Sequence, residues 1–195
     1  MLLFFAPILS FSCKQKKPMG FRERKIELND SLGTITINLP ARLEKYNSWS
    51  DNEVYQRIFY RFNDNDYPVV KEAKSYNLDS IYQFTIWQTD LTTKEISQKS
   101  CFSNIDSLKI LGKPLQVTEH YTKYFLREFR LINNTLFSIE AYKTTSFSPT
   151  KTTLFVIATT CYKDKKLIFV SECRGKDTTG FIDNLYKSIL SIQIK

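Results

Sequence analysis

Histidine is nearly absent from this 195-residue chain: there is one, His120, alongside five glycines, six prolines, two tryptophans and four cysteines. So little histidine excludes zinc sites built from His and Cys clusters, and the cysteines show no metal-ligand spacing. A hydrolytic triad on His120 would need a nucleophile and an orienting acid beside it. The residue sits instead in the polar run Glu119-His120-Tyr121 and reads as an exposed structural histidine. The glycines at 20, 33, 112, 175 and 180 fit no phosphate-cradling fingerprint. Their scarcity, with that of proline, also argues against a disordered or repeat-built chain. Asp64 and Asp66 lie in the run Asn63-Asp64-Asn65-Asp66, which lacks the glycine and distal glutamate of a calcium loop; a solvated turn is expected there. The sequence thus nominates no catalytic residue, no metal ligand and no cofactor.

The apolar stretch at residues 1–12 carries no charge. As a helix it would reach roughly 18 Å, against a hydrocarbon core of about 30 Å, so it is too short to cross a bilayer. Its length suits the apolar region of a signal peptide, which ends in small residues before cleavage. Leu9, Ser10, Phe11 and Ser12 lead into Cys13, and the chain turns lysine-rich directly afterwards. This arrangement resembles the lipobox of bacterial lipoproteins. The resemblance implies cleavage before Cys13, acylation of its thiol and palmitate on the mature protein. Residues 13–25 then form a basic tether lying against lipid headgroups. It also implies a location at the cell envelope, facing the periplasm or the exterior. The competing reading is a packed amino-terminal helix with a structural Cys13.

The formal net charge of +8 invites a nucleic-acid reading until it is located. Lys14, Lys16, Lys17, Arg22, Arg24 and Lys25 are opposed only by Glu23, and beyond them basic residues are scattered among acids. Without a basic stripe, nucleic acid is not an expected partner.

What is plentiful is aromatic: 11 Tyr and 15 Phe, residues enriched in strands. Period-two patterning runs from residue 25 to 173 and predicts a single α+β domain over 26–195, mostly antiparallel sheet. Strands are expected at Lys25–Leu28 and Thr34–Leu39, around the turn Asn29–Gly33, and at Val54–Phe62 and Ser80–Thr89. Further strands are expected at Tyr124–Ile132, Leu136–Thr144, Thr153–Tyr162 and Leu167–Cys173. Short helical turns are expected at Ala41–Asn47, Val69–Ser75, Thr92–Lys99 and Ile105–Leu111. Leu154–Ile157 and Leu167–Val170 are apolar on both faces, as central strands covered on both sides should be. A two-residue turn at Asp164-Lys165 would set Cys161 opposite Ile168 and turn Cys173 to the other face, so these two cysteines should not pair. A carboxy-terminal helix is predicted, capped by Asp177, Thr178 and Thr179. Its apolar stripe of Phe181, Ile182, Leu185, Tyr186, Ile189 and Leu190 should pack on one sheet face.

A hairpin ending in Leu39-Pro40, an antiparallel sheet and a last helix reading Phe181-x3-Leu185-Tyr186-Lys187-Ser188-Ile189 resemble the PsbP-like fold, over residues 25–195. The members of that fold mostly bind or scaffold rather than catalyse, though a fold alone fixes no function.

Two weaker features remain. Tyr55, Arg57, Phe59 and Arg61 mix aromatic rings and guanidiniums at strand spacing, suited to an anionic or planar ligand; a solvated, charge-laced face is the plainer reading. Asp30-Ser31-Leu32, Asp79-Ser80-Ile81, Asp106-Ser107-Leu108 and Asp177-Thr178-Thr179 resemble an O-glycosylation sequon of some envelope proteins, although Asp-Ser/Thr also serves as turn chemistry. The functional expectation is a non-catalytic envelope lipoprotein that binds or scaffolds, its partners the membrane and another envelope protein. One alternative is an immunity-type partner of a toxin or secreted enzyme. Another is an enzyme using carboxylates or a thiol among Cys101, Cys161 and Cys173, which would need depressed thiolate pKa in an open cleft.

Overall fold

A computed structural model describes residues 20–51, 57–64, 80–97, 120–147, 150–175 and 178–195. The first hairpin joins β1 (Phe21–Leu28) to β2 (Gly33–Pro40). Its turn holds Asp30, Ser31 and Gly33 at φ of 58°, 55° and 98°, a left-handed path open to residues such as Asp and Gly. Isoleucines and leucines alternate along both strands, and Ile26, Leu28, Ile35, Ile37 and Leu39 are buried. The last strand, β10 (Gln193–Ile194), pairs with the other side of β2, which completes a three-stranded sheet in the order β1-β2-β10.

The larger sheet begins with β3 (Leu43–Asp51), β4 (Arg57–Asp64) and β5 (Ile81–Asp90). After the short helix α1 (Thr93–Ser97) it continues with β6 (His120–Ile132), β7 (Thr135–Phe147), β8 (Thr150–Tyr162) and β9 (Lys165–Arg174). All seven are antiparallel, in the order β3-β4-β5-β9-β8-β7-β6. The doubly apolar segments of β8 and β9 therefore occupy central positions, as expected. Helix α2 (Phe181–Leu190) buries Phe181, Leu185, Ser188 and Ile189, with Ile182, Tyr186 and Leu190 packed at the margin of the same core. It lies against β2, β8 and β9. Small sheet and helix thus share the inner face of the large sheet, and one hydrophobic cluster joins all three. The protein is mostly antiparallel β with two short helices among the described residues.

Four details depart from the sequence reading. Ala41–Asn47 is no helical turn: Ala41 and Arg42 reverse the chain, and Leu43 onward pairs with β4. Arg-Leu-Glu-Lys is locally competent for helix, but cross-strand pairing satisfies its backbone instead. Asn63 and Asp64 are not a solvated turn. Both end β4 and are buried, and Asp64 receives the Arg42 guanidinium at 2.5 Å. The β8–β9 turn is Lys163-Asp164, with Cys161 opposite Lys166. Lys165 is drawn into strand β9 by Asp30 at 3.1 Å and Asp90 at 2.5 Å. Finally, the N-cap of α2 is Gly180 at φ 69°, with no side-chain cap; the left-handed turn it makes replaces the cap expected from Asp177, Thr178 and Thr179. Cys13, Tyr55, Asp66, Asp79, Cys101, Asp106, Asp177 and the turns expected at 69–75 and 105–111 lie outside the described residues.

Candidate functional site

Strand alternation gives the large sheet an outer face opposite the core. On it the register aligns Asn47, Arg61, Thr85 and Val170 in one row and Lys45, Asn63, Gln83 and Glu172 in the next. Polar side chains there should be wet. Arg61 is nevertheless only 7% exposed, Glu172 and Arg174 8% each, and Asn63, Gln83, Thr85 and Thr153 are buried as well.

Burying charge demands partners. The Arg61 Nε donates to Thr85 Oγ1 at 2.9 Å, and its guanidinium lies 4.8 Å from the Trp49 ring centroid. Gln83 Nε2 donates to Glu172 Oε2 at 2.8 Å. Arg174 reaches the other Glu172 oxygen at 3.4 Å while its Nε donates to Thr153 Oγ1 at 2.8 Å. Satisfaction is incomplete. Arg61 Nη1, Asn63 Oδ1, Gln83 Oε1 and Trp87 Nε1 are buried with no hydrogen-bond partner among the described residues. Two unmet donors and two unmet acceptors thus share neighbouring positions of β4 and β5.

The electrostatics follow from the burial. Desolvation lowers the Arg61 pKa, with Glu172 opposing. Desolvation raises that of Glu172, and Arg174, the Gln83 hydrogen bond and Arg61 only partly offset it.

Aromatic rings frame the strip. Phe59 stacks on Trp49 at 5.0 Å and 9° and meets Trp87 edge-on at 5.7 Å. On the far side Tyr142 stacks on Phe155 at 5.1 Å, and Arg127 lies 4.0 Å over the Tyr124 ring and pairs with Glu140 at 3.2 Å. Burial, with Tyr124, Glu140 and Glu172 adding negative potential, pushes the Tyr142 phenol up to about 12.

Of the ligand face proposed from sequence, Arg57, Phe59 and Arg61 do share this side of β4, while Tyr55 lies outside the described residues. The charge-laced face is buried at Arg61, not solvated. Glu172, Arg174, Gln83, Trp49 and Trp87 were missed. The signal existed in Ser171-Glu172-Cys173-Arg174, where two charges at i and i+2 continue the face of Ile168 and Val170 in an otherwise apolar strand.

Among the described residues no three His, Cys, Asp or Glu side chains group as a metal site. Cys173 is buried towards the core and Cys161, on the outer face, is disulfide-bonded. The two do not pair with each other, as their opposite faces require. No helix among the described residues is long and apolar enough to cross a membrane.

No family model matches the sequence, and neither does any curated protein. Among solved structures the chain is similar to the solution structure of cyanobacterial PsbP (CyanoP) from Synechocystis sp. PCC 6803. The TM-score is 0.49 at 8% identity, covering 89% of this chain and 92% of that one. That neighbour bears the name of the fold the sequence resembles; at this similarity it carries no argument, and function has to come from the residues.

Proposed function

We propose that this chain is a non-catalytic envelope lipoprotein, tethered through Cys13, that binds its partner or ligand on the outer face of the large sheet. The observation that carries the binding role is the Arg61 guanidinium, buried between strands with Nη1 unmet among the described residues, beside the Trp49–Phe59 stack. A buried cation held short of its full complement costs stability, and such costs concentrate at functional sites. Ring faces and a guanidinium together suit a planar anion. Cys161 in a disulfide and Cys173 in the core leave neither of them as an exposed nucleophilic thiol.

Both tryptophans of the chain stand against Phe59, so intrinsic indole fluorescence reports on this face. Titration with benzoate and larger aromatic carboxylates should quench it saturably in wild type and not in Arg61→Leu. Equal response in both, or none in either, removes the binding face. Lipidation is tested separately by intact mass of the membrane-extracted protein, where acyl mass is expected on wild type and absent from Cys13→Ala. An unmodified wild type starting at Met1 removes the tether.

A further inference from the structure

We infer, resting on the binding face proposed above, that its ligand is an aromatic carboxylate with an N–H or O–H donor at the far end of the ring, of the para-aminobenzoate type. The unmet polar atoms of that face are sorted along the sheet. Phe59 pairs with Trp87, Arg61 with Thr85 and Asn63 with Gln83, in successive same-face rows of β4 and β5. Among the described residues the unmet donors, Trp87 Nε1 and Arg61 Nη1, belong to the first two of these rows. The unmet acceptors, Asn63 Oδ1 and Gln83 Oε1, belong to the last row, on residues directly across the strands from each other. Donors stand at one end of the strip and acceptors at the other.

Each group is held in its role. The Arg61 Nε already donates to Thr85 Oγ1 at 2.9 Å, and the Trp49 ring lies 4.8 Å from the guanidinium carbon. That leaves the Nη1 edge to find an acceptor in the guanidinium plane. An indole N–H only donates. Gln83 gives its Nε2 to Glu172 at 2.8 Å and cannot turn its amide over without losing that bond, so its oxygen stays an acceptor. Asn63, Gln83 and Arg61 are 1%, 5% and 7% exposed, a depth at which a polar atom without a partner is costly.

A molecule that answers both ends needs acceptor oxygens at one and hydrogen-bond donors at the other. Successive same-face residues of a strand are about 7 Å apart. That span is too long for the amine and carboxylate of an α-amino acid, and it is comparable to the reach between para substituents of a benzene ring. The carboxylate then takes Arg61 Nη1 and Trp87 Nε1. An aromatic amine has two N–H groups, one each for the amide oxygens of Asn63 and Gln83. A flat ring also suits the Trp49–Phe59 stack beside the strip. On the edge strand β3, Asn47 opposite Arg61 is half-buried and Lys45 opposite Asn63 is exposed, so the ligand enters from that side.

Isothermal titration calorimetry of the full chain in detergent tests the two ends separately. Para-aminobenzoate should bind roughly tenfold tighter than benzoate. Para-hydroxybenzoate, with one donor, should fall between them, and para-methylbenzoate, with none, should bind no better than benzoate. Meta-aminobenzoate, whose amine lies off the long axis, should gain less than the para isomer. Asn63→Leu should bring the para-aminobenzoate and benzoate constants together; the wild-type series decides the matter should that variant not fold. Saturable benzoate binding with no gain from the para amine overturns this assignment and leaves the binding face standing. Absence of binding by every member of the series removes both. A meta isomer equal to the para isomer, or a preference that survives in Asn63→Leu, also overturns the assignment.

Discussion

Gln83 on β5 donates its amide to Oε2 of Glu172 on β9 across 2.8 Å, tying two central strands through a carboxylate that burial leaves reluctant to ionise. Because its pKa is raised by folding, the folded state holds the proton more tightly than the unfolded chain. The stabilisation is then complete below the ordinary carboxylate pKa and is lost as pH rises through the raised value. Wild type should therefore lose stability relative to Glu172→Gln between about pH 4 and pH 7. Each tenfold difference in proton affinity is worth about 1.4 kcal/mol, or about 4 °C of Tm at this chain length. Calorimetry of both proteins at the two pH values checks the sign. A difference that stays flat or moves in favour of wild type contradicts it.

Arg61→Leu should leave stability unchanged or raise it by up to about 2 kcal/mol, since an apolar side chain removes a desolvated guanidinium with an unmet N–H. Urea denaturation measures it. A loss of several kcal/mol would mean that the guanidinium is a net structural asset, and the binding role would lose its main support.

Gly33→Ala should be among the costlier changes on the surface of the small sheet. Gly33 sits at φ 98°, and a Cβ there would overlap the Lys195 carbonyl oxygen. Lys195 exchanges both backbone hydrogen bonds with Thr34, at 2.9 and 3.0 Å, so the variant must release β10 or distort the turn. A loss of about 2–4 kcal/mol is expected. Hydrogen exchange at Thr34 and Lys195 should accelerate before any other pair of amides does. Wild-type stability in the variant would show that β10 pairing is dispensable.

Leu185→Ala should cost about 2–5 kcal/mol, because Leu185 is fully buried where α2 meets β2, β8 and β9. Chemical denaturation with unchanged m-value would show that the helix stays docked over a cavity. A cost below about 1 kcal/mol would mean that its stripe is not core.

Much of this architecture was legible in the pattern of the chain. Alternation located every strand except β3 and the two-residue β10, together with the Asn133-Asn134 turn and the stripe from Phe181 to Leu190, because those signals are local and repeat. What pairing decides was not. Ala41–Asn47 carries no marker of the β4 ladder that makes it a strand. The candidate site was half legible. Arg57, Phe59 and Arg61 alternate within one strand, but Gln83, Glu172, Trp49 and Trp87 join them only through registers spanning four strands. Nothing in the local sequence distinguishes a buried arginine face from a wet one.

Strand β2 takes one neighbour from residues 21–28 and the other from residues 193–194, so its two flanks come from segments far apart in the chain. Until the later flank is in place, Ile35 and Thr36 lack their partners on that side of β2. Closing the small sheet therefore depends on a contact between segments far apart in sequence, which forms more slowly than the local hairpins.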